Sequence, residues 1–219
     1  MRYLIAVGLV CSLFSLISCK TELQKNVLPY YGNFENVYST VDGKQVVDSI
    51  YPTIPAFSYL NQDSIMVKST VMKGKVWIAD FFFSTCPSIC PTMTTQMKRL
   101  NIMTDDINEQ LQYMSFSINP NYDQPHILQR YIKLHGIEAD NWHFFTGDED
   151  KTHKLGIENF MVFAEASEEA PGGYAHSESF VLVDREGYVR GVYMGTDTEQ
   201  VNRLEKDLRK LLKYEYGVE

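Results

Sequence analysis

The sequence has few cysteines and no excess of basic residues. Its 219 residues include four cysteines, and 20 lysines and arginines against 28 aspartates and glutamates give a formal net charge of −8. So few cysteines do not make the disulfide framework of a small secreted scaffold, and a chain without a basic face is poorly suited to nucleic acid. The chain also has no internal repeat and no low-complexity tract. We therefore expect one globular domain with additional segments, and no nucleic-acid partner.

The N-terminal apolar run is too short to span a membrane comfortably, because it covers only residues 3–17. Arg2 precedes it, and the run ends in Leu16-Ile17-Ser18-Cys19. This arrangement is typical of a secretory signal with a small-residue cleavage site, and its last four residues resemble a bacterial lipobox. We predict a lipoprotein signal peptide over residues 1–18 and a lipid on Cys19. A plain signal peptide and an uncleaved anchor are the alternatives.

A lipid on Cys19 predicts where the protein resides. Several acyl chains suffice for stable anchoring, so we expect a lipid-anchored protein of the bacterial cell envelope whose domain faces the periplasm or the outside. Lys20 gives no retention signal that distinguishes the inner from the outer membrane. Residues 19–54 are expected to form a tether and an N-terminal extension, and residues 55–219 the folded domain.

Only Cys86 and Cys90 remain in this domain, because Cys11 leaves with the signal peptide and Cys19 carries the lipid. Three residues separate the pair, and each cysteine is followed by proline. Closing so short a loop removes little chain entropy. A purely stabilising disulfide is therefore a weak explanation for the pair.

Hydrophobic periodicity predicts an α/β fold. The predicted elements are a β-hairpin extension around Asp42-Gly43, a buried strand over residues 76–83, a helix from Pro91, a strand over 111–118, a helix that Asp123 could cap, a strand over 142–145, a helix over 151–160, a strand over 161–164, a flexible acidic loop over 165–174, a hairpin over 179–194 and a helix over 198–214. This order implies a mixed central sheet flanked by helices. With the thiols at a strand-to-helix turn, it resembles the thioredoxin fold.

Thiols at a helix N-terminus should ionise readily, because unpaired N–H groups and the helix dipole favour thiolate. Thiolates exchange disulfides, and here the pair has one more intervening residue than the usual redox motif. Asp80, six residues before Cys86, could tune the thiol pKa, or it could simply pair with a lysine such as Lys75. Peroxidase chemistry is disfavoured because the nearest arginine, Arg99, lies two turns along the predicted helix.

Thiolates also bind soft ions such as Cu(I) or Zn(II). A structural zinc needs four ligands, whereas copper accepts two thiolates and one imidazole. His176 follows the Pro171-Gly172-Gly173 loop, which lies beside the cysteine turn in a thioredoxin-like layout, although layout alone leaves a structural role equally open. Surface or core roles suit the remaining histidines, and core packing suits the two nearby thioethers; these residues are His126, His135, His143, His153, Met93 and Met97.

Three sequence blocks resemble the Sco/SenC family. The first runs from Asp80 to Pro91 and contains Phe83-Ser84-Thr85-Cys86-Pro87-Ser88-Ile89-Cys90-Pro91; the second is Ser117-Ile118-Asn119-Pro120-Asn121-Tyr122-Asp123-Gln124-Pro125; the third is His176-Ser177 followed by Phe180-Val181-Leu182-Val183-Asp184-Arg185-Glu186-Gly187. The resemblance covers about residues 55–212. Asn119 stands where the family often has Asp, and Ala175 where many members have an acidic residue.

The resemblance implies a membrane-tethered, thioredoxin-like copper chaperone that serves assembly of the dinuclear copper centre of cytochrome c oxidase. It implies one copper per domain, held by Cys86, Cys90 and His176, with Cu(II) depending on the imidazole more than Cu(I). The implied partner is the copper-bearing oxidase subunit or another copper or thiol protein. A thiol–disulfide oxidoreductase acting on envelope proteins is the rival hypothesis, and a lipoprotein adaptor with a vestigial site is a third.

Overall fold

The structure is a computed structural model that describes residues 27–167 and 169–218. The predicted signal peptide, the predicted lipid site Cys19 and the start of the predicted tether lie outside these residues. Within the described part of the chain, no helix combines the length and hydropathy that a membrane span requires.

A mixed seven-stranded sheet forms the centre of the domain. The described strands are β1 (Glu35–Val41), β2 (Lys44–Ile50), β3 (Ser58–Asn61), β4 (Met66–Lys68), β5 (Val76–Phe82), β6 (Leu111–Ser117), β7 (Trp142–Thr146), β8 (Ala164–Ala166), β9 (Tyr174–His176), β10 (Ser179–Val183) and β11 (Val189–Met194). The central sheet has the order β11-β10-β5-β6-β7-β3-β4. Strands β5, β6 and β7 pair in parallel, and the other neighbours are antiparallel.

Four α-helices accompany the described strands. They are α1 (Cys90–Met103), α2 (Pro125–Leu134), α3 (Glu149–Asn159) and α4 (Thr198–Lys210), the last followed by a π-helical turn, Leu211–Glu215. The predicted thioredoxin-like α/β fold, with a mixed sheet flanked by helices, is therefore confirmed.

Strand β5 is buried along its whole length, as its apolar sequence predicts. Its neighbouring residues point to opposite faces of the sheet. Phe81 stacks on Phe116 with ring centroids 5.1 Å apart, whereas Phe82 contacts Tyr131 and Phe144. Both faces are thus packed, which holds the carboxyl end of β5 rigidly where the cysteine turn begins.

Three local predictions were wrong. Asp123 does not cap α2, because Gln124 occupies the N-cap position without a side-chain hydrogen bond, and Asp123 is buried elsewhere. Residues 161–164 do not form a strand and residues 165–174 are not simply a loop, since β8 begins at Ala164 and pairs antiparallel with β9. Met161 has φ of 55°, a left-handed conformation that a strand cannot contain.

The predicted N-terminal hairpin is present as β1 and β2. Its turn residues Asp42 and Gly43 have φ of 52° and 76°, as a two-residue hairpin turn with positive φ requires. Every residue of the two strands is exposed. The hairpin therefore extends from the domain instead of contributing to its core.

The residues just before the hairpin are attached to the domain, although their sequence suggests a tether. Arg190 on β11 has a fully buried side chain that pairs with Asp184 at 2.9 Å and Glu215 at 2.6 Å. The same guanidinium donates to the backbone oxygens of Leu28 at 2.7 Å and Pro29 at 3.3 Å. This one cation therefore joins the N-terminal segment, the β10–β11 hairpin and the C-terminal turn.

We expect Arg190→Met to destabilise the protein by about 3–5 kcal/mol, because it leaves two buried carboxylates without their cation. Equilibrium urea unfolding measures this loss. Arg203→Met is the matched control, since Arg203 is 71% exposed and lies 3.5 Å from Asp207. An exposed pair contributes less than about 1 kcal/mol. Equal losses in the two variants would contradict the assigned role of Arg190.

Candidate metal centre

The two thiols lie where β5 leads into α1. The backbone N–H of Cys86 donates to the carbonyl oxygen of Phe83 at 3.2 Å, which turns the chain directly after the strand. Cys90 is the first residue of α1, and Pro91 occupies the first helical turn, where a missing N–H costs nothing. The helix begins at the thiols, as predicted.

A buried carboxylate holds the start of this turn. Asp123 is fully buried and accepts hydrogen bonds from the backbone N–H of Ser84 at 3.0 Å and from the hydroxyl of Ser117 at 2.6 Å. It also accepts from the Ser84 hydroxyl. Burial raises the pKa of Asp123, and the hydrogen bonds from Ser117 and Ser84 oppose that rise. Asp123 thereby connects the cysteine turn, just after β5, to the last residue of β6.

Sequence reasoning missed this role of Asp123. The residue belongs to the second block of the resemblance, but its partner Ser84 is 39 residues away in the chain. A polar residue near a helix start is usually interpreted as a cap. The signal that could have corrected this interpretation is the serine at the end of each of the two neighbouring parallel strands.

Strand β9 brings His176 to the thiols. Its Nε2 lies 3.2 Å from Sγ of Cys90, and its Nδ1 lies 3.1 Å from the carbonyl oxygen of Ser177. With a proton on Nδ1 donated to this oxygen, Nε2 presents its lone pair to the sulfur. The ligand atoms of Cys86, Cys90 and His176 all lie within 4.8 Å of one another, and no second such His/Cys/Asp/Glu group occurs among the described residues.

This donor set fits a soft metal ion. Zinc–sulfur and zinc–imidazole bonds of about 2.3 and 2.0 Å place ligand atoms around an ion at separations comparable to those found here. Two thiolates and one imidazole suit copper, whereas a closed structural zinc site needs a fourth ligand.

The two thiols differ in acidity. A hydrogen bond from the Cys90 side chain lowers the pKa of Cys86; backbone N–H groups of Cys90 and Ser88 and the Ser88 hydroxyl act in the same direction, and burial opposes them. The same hydrogen bond and burial raise the pKa of Cys90. The hydrogen bond between the thiols therefore favours ionisation of Cys86 over Cys90 in the reduced, metal-free pair.

Asp80 lies on β5, six residues before Cys86, and has no ion-pair partner among the described residues. It is 2% exposed, its Oδ1 has no hydrogen-bond partner among the described residues, and burial raises its pKa to about 7 despite a hydrogen bond from Ser115. The described ion pairs include none between Asp80 and Lys75, so that alternative is wrong. Its charge contributes to the raised pKa of Cys90.

The remaining candidates do not belong to the three-residue group. His153 Nε2 bonds the carbonyl oxygen of Ile118 at 2.9 Å, and Arg99 bonds Asn202 on α4 at 2.9 Å instead of the thiols. His126 is in the first turn of α2, His135 follows its last turn and His143 lies on β7, while Met93 and Met97 are fully buried on α1. None of these histidines joins the Cys86–Cys90–His176 group.

Comparison with known proteins gives consistent matches. The SCO1/SenC family model matches residues 48–213. A SCO1/SenC family lipoprotein from Bacillus anthracis str. Ames is 31% identical, covering 73% of this chain and 94% of its own, with a TM-score of 0.67. BsSco, a Sco-family cytochrome c oxidase assembly protein with a disulfide switch, is 30% identical, covering 72% of this chain and 91% of its own, with a TM-score of 0.64.

A more distant structure shares the fold alone. ScoI of Bradyrhizobium japonicum, solved with copper bound, is 19% identical, covers 73% of this chain and 99% of its own, and has a TM-score of 0.61.

The difference in thiol acidity predicts selective alkylation. In reduced, metal-free protein at pH 6, iodoacetamide should label Cys86 first, because the thiolate is the nucleophile. Peptide mass spectrometry after brief labelling locates the first adduct. In urea the two cysteines should react at similar rates, and predominant labelling of Cys90 in the folded protein would contradict the assignment.

The raised pKa of Asp80 predicts a pH-dependent stability difference. The folded protein keeps a proton that the unfolded chain releases between an ordinary pKa of 3.8 and about 7, so stability from this group falls as pH rises through that window. Asp80→Asn does not titrate. Its stability relative to wild type should therefore rise from pH 4 to pH 8, by at most about 4 kcal/mol. Urea unfolding of both reduced proteins tests this, and parallel pH curves would refute it.

Proposed function

Because the chain belongs to the SCO1/SenC family, we propose that it binds copper through Cys86, Cys90 and His176 and serves assembly of the copper centre of cytochrome c oxidase. The carrying observation is the convergence of two sulfurs and one imidazole nitrogen within 4.8 Å. The copper-bound ScoI structure and the oxidase-assembly role stated for BsSco support the same assignment.

The protein's own residues define how the ion would be held. Cys86 already supplies a thiolate, whereas Cys90 must release its proton, so binding becomes tighter as pH rises. The imidazole is presented with Nε2 towards the sulfurs. Copper is the cargo of the protein and accepts these three ligands without a fourth protein group.

Release of the ion can follow thiol oxidation. If an oxidant or a partner disulfide takes two electrons from the metal-bound thiolates of Cys86 and Cys90, an S–S bond forms, both thiolate ligands are lost and the copper ion leaves; a partner disulfide takes up two protons from solvent and becomes a dithiol. We propose this as the release route. The stated disulfide switch of BsSco supports it.

We also propose an envelope location, with the domain tethered to a membrane by a lipid on Cys19. The copper-bearing subunit of the oxidase is the proposed client. The resemblance of residues 16–19 to a lipobox supports the anchor.

A second candidate function is thiol–disulfide exchange. It is favoured by the position of the two thiols at the start of α1 and by the opposite shifts of their pKa values, downward at Cys86 and upward at Cys90. An exchanging pair uses this arrangement to attack with one thiol and resolve with the other. Catalytic turnover of a disulfide substrate by metal-free protein, together with failure to retain copper, would favour this function.

Replacement of the imidazole tests the proposed copper site. His176→Ala should weaken Cu(II) binding by more than the roughly 10–100-fold typical of an outer-shell change, while Cu(I), held by the thiolates, should change far less. Metal analysis and competition titrations of purified protein measure both affinities.

The control for this experiment is His126→Ala, which alters an exposed histidine on α2. It should bind both ions like wild type, and the disulfide form of wild type should retain neither. Unchanged Cu(II) affinity in His176→Ala would refute the three-ligand site. Intact cellular function in Cys86→Ser would instead support the vestigial adaptor.

A further inference from the structure

Tyr174 joins the strand that carries His176 to two other parts of the domain. Its hydroxyl lies 3.3 Å from Oδ1 of Asn119, which follows β6, and 3.2 Å from Oε1 of Glu149, the first residue of α3. Oε2 of the same carboxylate accepts from Asn121 at 2.9 Å. A tyrosine has one hydroxyl proton, so the two acceptors share it. Three separate chain segments therefore meet at one hydroxyl.

The ring of Tyr174 also contacts the cysteine turn. Its centroid is 5.4 Å from that of Phe83, and Phe83 in turn lies edge-on to His176 at 5.8 Å. A Cβ atom on Gly172 would come within 2.8 Å of the Phe83 ring and 3.2 Å of Pro87. The β8–β9 hairpin thus lies directly on the residues that surround Cys86.

The imidazole itself has few connections. Among the described residues, its hydrogen-bonding contacts are Cys90 and the carbonyl oxygen of the adjacent Ser177. The preceding residue, Ala175, offers no side-chain acceptor. The orientation of His176 is consequently determined by the position of β9, a three-residue strand paired only with the equally short β8.

We propose that Tyr174 is a positioning residue that gives the site its affinity for Cu(II) relative to Cu(I). The inference rests on the proposed copper function. Two thiolates suffice for Cu(I), whereas Cu(II) gains more from the borderline imidazole ligand. Holding β9 in place keeps the imidazole over the sulfurs, and loss of the Tyr174 hydroxyl loosens β9 while the ring contact with Phe83 in the cysteine turn remains.

Three variants separate the hydroxyl from the ring. Tyr174→Phe removes the hydroxyl and keeps the contact with Phe83, whereas Tyr174→Ala removes both. We expect Cu(II) affinity to fall about tenfold in the first and towards 100-fold in the second, the range typical of outer-shell residues. Cu(I) affinity should stay within about twofold of wild type. Tyr122→Phe, which alters a half-exposed tyrosine of the neighbouring turn, should leave both affinities unchanged.

A measurement on metal-free protein makes the test independent of copper. Hydrogen–deuterium exchange should become faster at the amides of β9 in Tyr174→Phe than in Tyr122→Phe, with α1 unaffected. This readout reports the attachment of the strand directly, and thermal unfolding shows whether either variant is globally destabilised.

The possible results distinguish the two proposals. Wild-type Cu(II) affinity and unchanged exchange in Tyr174→Phe would overturn the positioning role and leave the proposed copper function standing. Equal losses of Cu(I) and Cu(II) would also overturn it, since they indicate a general structural role. If wild type binds no Cu(II), or His176→Ala binds it equally well, the proposed copper site fails and the selectivity assigned to Tyr174 fails with it.

Discussion

The geometry of the metal centre depends on a buried carboxylate that is not a candidate ligand. Asp123 accepts from Ser84 at the start of the cysteine turn and from Ser117 at the end of β6. Because β5 and β6 are parallel neighbours, this clamp fixes the turn to the sheet directly below the thiols. Cys86 therefore lies in a non-helical turn four residues before Cys90, which begins the helix. The clamp acts on the cysteine turn, whereas the Tyr174 contacts act on the strand that carries the imidazole.

The site and the N-terminal segment lie at opposite ends of the sheet. The thiols follow the carboxyl end of β5, whereas β10 runs antiparallel so that Val183 lies beside Trp77, near the start of β5. Tyr31 and Thr53 bridge to Val189 and Tyr188 at that same end. The proposed lipid tether would join the domain at this end, away from the thiols and His176, as the proposed copper carrier requires to present its cargo to a second protein.

Local sequence patterns predicted the elements well where one interaction dominates, as in the buried β5 strand and the Asp42-Gly43 turn. They failed where distant residues decide. The sequence near Asp123 predicts a helix cap, because local patterns carry no information about its distant serine partners. Residues 161–174 were predicted as a strand and a loop, because the pairing of Ala164 with His176 depends on the tertiary structure. The cluster itself was identified through the resemblance; the residues alone left His176 undecided. The carbonyl of Ser177 that orients its ring could not have been predicted from either.

Charge explains why the pocket can hold two sulfurs in an apolar setting. Two thiolates and an ionised Asp80 would place three negative charges in a region of low dielectric, which is costly. This charge is reduced, because burial raises the pKa of Asp80 to about 7, and the hydrogen bond to Cys86 together with burial raises the pKa of Cys90. A singly charged cation that displaces the Cys90 proton leaves the net charge of the site unchanged. The metal-free pocket is therefore already arranged, in both geometry and charge, for a soft cation.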